Sequence, residues 1–186
     1  KFREDPYSMI DLINIGTFSE QMAAYFWLCL ENRASIMVLG GTAAGKTTAL
    51  NSLACLIKPG SKIITIEETA ELNLPHENWT STIARSGFGT ENEGEIKLYD
   101  LIKSAVRHRP DLIIVGEIRG EEAYVLFQAL ATGHGGMCTM HAENLDSAVK
   151  RLTQKPMDIS PAYIPLMNIV LSIQRVHLVK GTEKKA

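Results

Sequence analysis

The chain has 186 residues, enough for one domain with a core that is stable on its own, and a formal net charge of −2 with both signs scattered along it. A hydrophobic fraction of 45% against 22% charged excludes a disordered chain, and the near-neutral balance argues against a nucleic-acid backbone as main partner. Three cysteines, Cys29, Cys55 and Cys138, have neither metal-ligand nor redox spacing and are expected to be reduced core thiols of a cytoplasmic protein.

Lys1 to Asp5 is charged and reads as a linker, and 1–16 as a lead-in to a domain over 17–186. Thr17 and Glu20 have the spacing of a capping box, opening a helix dense in apolar residues through Leu30 and expected to be well buried. Its longest apolar run, Met22 to Leu30, falls far short of the ~20 residues a membrane span needs. No signal peptide is visible, so membrane contact is expected through a partner or a missing part of the chain. Missing parts are expected, because the chain opens at Lys1 without an initiator Met and stops at Lys184-Lys185-Ala186 just after an apparent strand.

Ile36 to Leu39 is a short apolar run ended by Gly40-Gly41, the pattern of a buried parallel strand. A helix follows Gly45 and runs to about Ile57, where Pro59-Gly60 breaks it, and Lys62 to Ile66 is the next strand. Beyond the acidic and aromatic stretch Glu71 to Trp79, Phe88 to Glu95 is polar and glycine-rich, hence a loop. Leu98, Leu101, Ile102, Ala105 and Val106 recur at helical spacing until Pro110, and Leu112 to Val115 is a fully apolar strand. A helix over Glu121 to Thr132, a glycine loop at Gly133 to Gly136 and a strand at Met137 to Thr139 complete an α/β pattern with a mainly parallel sheet.

Gly40-Gly41-Thr42-Ala43-Ala44-Gly45-Lys46-Thr47, followed by Thr48, satisfies G-x-x-x-x-G-K-[ST] between a strand and a helix. Small residues let the loop curl so that successive N–H groups face phosphate oxygens, and the helix N-terminus adds its positive end. Lys46 is placed to reach the β- and γ-phosphates of ATP, and the Thr47 hydroxyl to hold Mg²⁺.

Leu112 to Val115 runs into Gly116-Glu117, and an acid at such a strand tip faces the γ-phosphate, so Glu117 is the candidate for orienting the attacking water. Gly116 occupies the place where many P-loop ATPases carry a metal-holding Asp. Magnesium must then rely on Thr47 and on other acids, with Glu67 and Glu68 after Ile66 the natural candidates and Glu68 acting on the metal through water. A strand between the phosphate-loop strand and the Glu117 strand in sequence suggests a RecA-like (ASCE) P-loop NTPase rather than a nucleotide kinase. His141 follows the next strand and is a candidate sensor, whereas His76, His108 and His177 read as structural. Arg85, Arg107 and Arg109 are candidates for supplying transition-state charge across a subunit boundary, with surface salt bridges as the plainer alternative.

With these residues in place the chain resembles the type II/type IV secretion ATPases, the superfamily that powers protein secretion, type IV pili and the archaellum. Four boxes carry the resemblance: the phosphate loop, the acidic box Thr65-Ile66-Glu67-Glu68, the second box Gly116-Glu117-Ile118-Arg119, and the histidine box Thr132-Gly133-His134 through Thr139-Met140-His141. Glu71 to Trp79 is similar to the archaeal branch. Glu68 and Ala44 depart from the Asp and Ser common at those places. The resemblance implies a hexameric ring with ATP between subunits and arginines acting in trans. It also implies an additional N-terminal domain, a further C-terminal segment and docking on a polytopic membrane platform protein. Two other classes share parts of this pattern. A nucleic-acid translocase or helicase would need a basic, aromatic strand-binding stretch that is not evident here, and a non-hydrolysing nucleotide-sensing scaffold would have no use for Glu117 and His141.

Overall fold

The computed structural model describes residues 6–87 and 93–176. The linker expected at Lys1 to Asp5, most of the Phe88 to Glu95 loop, His177 and the strand expected before the C-terminus lie outside the described residues.

Within 1–16, Met9–Asn14 is a helix (α1) that turns Met9 and Leu12 into the core. The next helix, α2, spans Glu20–Glu31. Its cap is not the Thr17–Glu20 box expected from spacing: the Ser19 hydroxyl accepts the Met22 N–H at 3.1 Å, and Thr17 instead donates its N–H to the Leu12 carbonyl at 2.8 Å. Nor is α2 well buried. Only Phe26 and Leu30 are in the core, while Met22, Tyr25, Trp27 and Leu28 are exposed. Apolar density raises the tendency to bury a face, but a face is covered only if another element lies against it.

Strand β1, Ile36–Leu39, leads through the phosphate loop into α3, Lys46–Ala54. Next come β2 (Ile63–Glu67), β3 (Trp79–Ile83), α4 (Leu98–Arg107), β4 (Leu112–Val115), α5 (Glu122–Ala131), β5 (Gly135–Met140) and α6 (Leu145–Thr153). A 3-10 helix at Pro161–Leu166 then delivers β6, Ile169–Ser172. The six strands form one sheet in the order β3-β2-β4-β5-β1-β6, and every pairing is parallel. In space, β5 separates the phosphate-loop strand β1 from β4, the strand that leads into Glu117, and this fold is the RecA-like P-loop arrangement.

The strands β1, β2 and β4 read as continuous apolar runs because both faces of the sheet are covered. Their residues alternate between two cores, as the period of two requires. Met37, Leu39, Ile64, Ile66, Ile113 and Val115 pack with α4 and α5. Ile36, Val38, Ile63, Leu112 and Ile114 pack with α1, α2 and α3. Of the cysteines, Cys138 is fully buried in β5, and burial pushes its thiol far up. Cys29 and Cys55 are only half-buried, so two of the three expected core thiols are not in the core.

Candidate active site

Six parallel strands place all their C-terminal ends on one edge, where loops can converge on a ligand. The phosphate loop opens there from β1. Gly45 is the N-cap of α3 with φ of 98°, a left-handed conformation that glycine adopts without strain, and it gives no side-chain cap. The first N–H groups of α3 are therefore left for an anion. Lys46 folds back over the loop, its Nζ donating to the Gly41 carbonyl at 2.9 Å.

Facing this loop is a cavity of about 300 Å³ lined by Lys46, Thr47, Glu67, Glu68, Thr69, Glu71, Gly116, Glu117, Arg119 and Thr139. Glu67, Glu68, Glu71 and Glu117 set four carboxyl groups against the two cations Lys46 and Arg119. Glu67 ends β2 and is 3% exposed. Its Oε1 accepts the N–H groups of Glu71 and Leu72, both at 3.0 Å, and so folds the loop that carries Glu71 into the cavity. Asn51 of α3 ties the same loop to the phosphate-loop helix by accepting the Asn73 N–H at 3.2 Å. The other oxygen of Glu67, Oε2, is buried without a hydrogen-bond partner among the described residues. Burial pushes the Glu67 carboxyl above its ordinary value, despite the two N–H groups that pull it down.

Gly116 lies close against Glu67: a Cβ there would stand 3.2 Å from the Glu67 Cγ, a tight contact from which the Glu67 side chain would have to give way by a few tenths of an ångström. Around Gly116 the backbone is pinned on three sides. Its N–H donates to Ile66 at 2.9 Å, its carbonyl accepts the Thr139 hydroxyl at 2.7 Å, and the Ile118 N–H donates to the Thr139 carbonyl at 2.9 Å. Glu117 thus projects from a fixed strand end onto the cavity. Beyond it, Glu122 accepts the N–H groups of Arg119 at 2.6 Å and Gly120 at 2.7 Å, and the Arg119 guanidinium pairs with Glu68.

Among the residues expected from sequence, the cavity brings together Lys46, Thr47, Glu67, Glu68 and Glu117. His141 lies one residue past β5, is exposed and is not among the lining residues; Thr139 is the β5 side chain that faces the cavity. His134 is at the other end of β5, where its Nδ1 donates to the Ala129 carbonyl at 3.2 Å and closes the end of α5. His108 caps α4, its carbonyl accepting the Lys62 Nζ at 2.7 Å, and His76 donates to the Ile57 carbonyl at 2.9 Å.

Arg107 and Arg109 precede β4 and therefore sit at the opposite edge of the sheet from Glu117, separated from it by a strand of four residues, about 13 Å. Arg85 is on the site's edge. It donates its Nε–H to the Gly94 carbonyl at 2.9 Å and lines an adjoining cavity that shares Glu68 and Thr69 with the first. Glu71, Thr139, Arg119 and Glu122 are not among the site residues expected from sequence, although two of them, Thr139 and Arg119, fall within the boxes quoted above.

Several known proteins are similar to this chain. A family model described as Type II/IV secretion system protein matches residues 1–180. An uncharacterized protein of Methanocaldococcus jannaschii is 49% identical over 160 residues, covering 86% of this chain and 59% of that protein. The type IV secretion system protein PtlH of Bordetella pertussis is 36% identical over 168 residues, covering 86% of this chain and 48% of its own length. The crystal structure of the VirB11 ATPase from the Brucella suis type IV secretion system, in complex with sulphate, superposes with a TM-score of 0.64 at 23% identity, over 90% of this chain and 55% of that one. The chain thus spans about half the length of these relatives. With a model match over nearly all its residues, the chain belongs to the type II/IV secretion system protein family.

Proposed function

We propose that the chain binds Mg·ATP in the cavity between the phosphate loop and the ends of β2, β4 and β5, and hydrolyses it to drive subunit motion in a hexameric motor. The motor assembles a type IV pilus-like or archaellum filament or exports a protein, at the cytoplasmic face of a membrane and docked on a polytopic platform protein. The observation that carries this reading is the convergence of Lys46, Thr47 and Glu117 on one cavity at the C-terminal edge of the sheet. Family membership supports it, as does a relative that is itself a type IV secretion system protein. Among the described residues no helix is long and apolar enough to cross a membrane, which fits attachment through a partner.

The residues present fit magnesium that arrives with the nucleotide. Among the described residues no three acid, histidine or cysteine side chains converge into a cage, and Mg²⁺ is ordinarily held by phosphates with one or two protein groups and water. Thr47 would hold it directly, and Glu68 through its waters. Bound there, the ion neutralises charge that develops on the phosphoryl oxygens. The chain's own residues do the rest. Backbone N–H groups of the loop cradle the phosphates, Lys46 binds the β- and γ-oxygens, and Glu117 orients the attacking water and accepts its hydrogen bond. Arg85, Arg107 and Arg109 supply transition-state charge from a neighbouring copy, and His141, one residue past β5, is the sensor of its own copy's γ-phosphate. That assignment is supported for Arg107 and Arg109 by their position on the far edge of the sheet.

Phosphate release from ATP, measured with and without Mg²⁺ and with and without single-stranded DNA, tests this reading. Release that requires Mg²⁺ and is indifferent to DNA is the expected result. Stimulation by DNA would favour a nucleic-acid motor instead, and no release from assembled rings would favour a nucleotide-sensing scaffold.

A further inference from the structure

Arg119 and Glu68 form an ion pair across the wall of the cavity that also holds Lys46 and Glu117. Neither residue is locked by burial, their side chains being 55% and 52% exposed. The backbone beneath Arg119 is nevertheless fixed, because Glu122 holds its N–H at 2.6 Å and the preceding residue, Ile118, is bonded to Thr139 at 2.9 Å. The guanidinium is thus a long arm on a rigid mount, two residues from Glu117. Among the described residues its ion-pair partner is Glu68 alone.

An ion pair exposed to this degree is weak, since water screens it and both side chains surrender rotamer freedom to form it. Carboxylates and phosphates both make charge-assisted bonds to a guanidinium. The Glu68 pair, however, is a single Nη2–Oε2 contact, whereas a terminal phosphate carries more negative charge and a second free oxygen for the planar guanidinium. In a cavity shared with a triphosphate the phosphate therefore wins the arginine. A diphosphate lacks the group that would compete, and the pair stays closed.

We propose that Arg119 senses the terminal phosphate of ATP and that Glu68 holds it in reserve until ATP arrives. The guanidinium moves from Glu68 to the γ-phosphate beside Glu117. The same movement frees the Glu68 carboxylate to face the cavity. No bond is made or broken in this exchange, and it rests on the reading that the cavity binds ATP.

Equilibrium competition against a fluorescent ADP analogue, using AMP-PNP and ADP separately in EDTA so that the hold of Glu68 on magnesium plays no part, tests the proposal. Arg119→Ala is expected to weaken AMP-PNP about tenfold while ADP stays within about twofold. Glu68→Gln is expected to tighten AMP-PNP about threefold, because the competing partner is gone, and to leave ADP unchanged. A purely structural ion pair predicts no such opposition: equal weakening of both nucleotides by Arg119→Ala, or weaker AMP-PNP binding in Glu68→Gln, overturns the sensor. If Arg119→Ala loses ADP binding through misfolding, the sign of the Glu68→Gln effect decides alone. Wild-type protein that binds neither nucleotide overturns the reading of the cavity itself, and the sensor with it.

Discussion

Glu67 combines two demands on one carboxylate. One oxygen folds the loop of Glu71 and Leu72, and the other is buried facing nothing among the described residues. Burial raises its folded pKa above the ordinary value. A carboxyl raised in this way stabilises the fold fully below the titration of the unfolded chain, and that contribution is lost as pH rises through the folded value. Glu67→Gln keeps an oxygen to accept both N–H groups and removes the titration. The variant is expected to gain stability relative to wild type between about pH 5 and about pH 8, read by urea denaturation at both. Parallel profiles for the two proteins would contradict the burial assignment. At this scale the phosphate loop was legible, because its backbone conformation needs particular small residues at particular places. Glu67, Glu68 and Glu117 were legible as acids at strand ends. Glu71 and Thr139 were not, since nothing local marks a side chain whose orientation comes from a loop folded by Glu67 or from a hydroxyl bonded to Gly116.

Among the elements, α5 shows how a helix start can serve a site. Its N-terminus has no side-chain cap from Glu121; instead Glu122 reaches back to the N–H groups of Arg119 and Gly120. Glu122→Ala leaves two N–H groups without their acceptor and is expected to cost about 1–3 kcal/mol, with most of it restored in Glu122→Gln. An unchanged urea midpoint in the alanine variant would show that the contact is idle. The elements visible in sequence were those whose surroundings demand a strong pattern, namely the doubly covered strands β1, β2 and β4 and the helices between them. β3 was missed because it is an edge strand with only partial cover, and its Trp79-Thr80-Ser81-Thr82-Ile83 run carries no apolar alternation. What holds it is partly polar, with the Trp79 indole donating to Thr65 at 3.0 Å. The error at α2 runs the other way. Its apolar side chains promised burial, yet the chain supplies a neighbour only for the Phe26 and Leu30 side.

Taken whole, the molecule is a parallel sheet whose two ends carry different side chains. The C-terminal edge gathers the phosphate loop, Glu117, Arg119 and the acidic loop into one cavity, and the N-terminal edge carries Arg107, Arg109 and His134. No single copy can bring both edges to one nucleotide across strands of this length, so a role for Arg107 or Arg109 in hydrolysis requires a second copy. The order of strands was foreseeable only as a class, because the strand that separates β1 from β4 in space is β5, which is neither adjacent to both in sequence nor marked by any motif of order. Under the proposed function Glu117 works on the attacking water in an assembled ATPase, not on nucleotide binding. This role is tested by Mg²⁺-dependent phosphate release from ATP by wild type and Glu117→Gln, across concentrations that span ring assembly, with ATP binding measured alongside. Wild-type turnover is expected to rise steeply above a threshold concentration, and the variant to bind ATP normally but fall at least ~100-fold in rate. Equal rates in the two proteins, or equal inactivity in assembled rings that bind ATP, would contradict it.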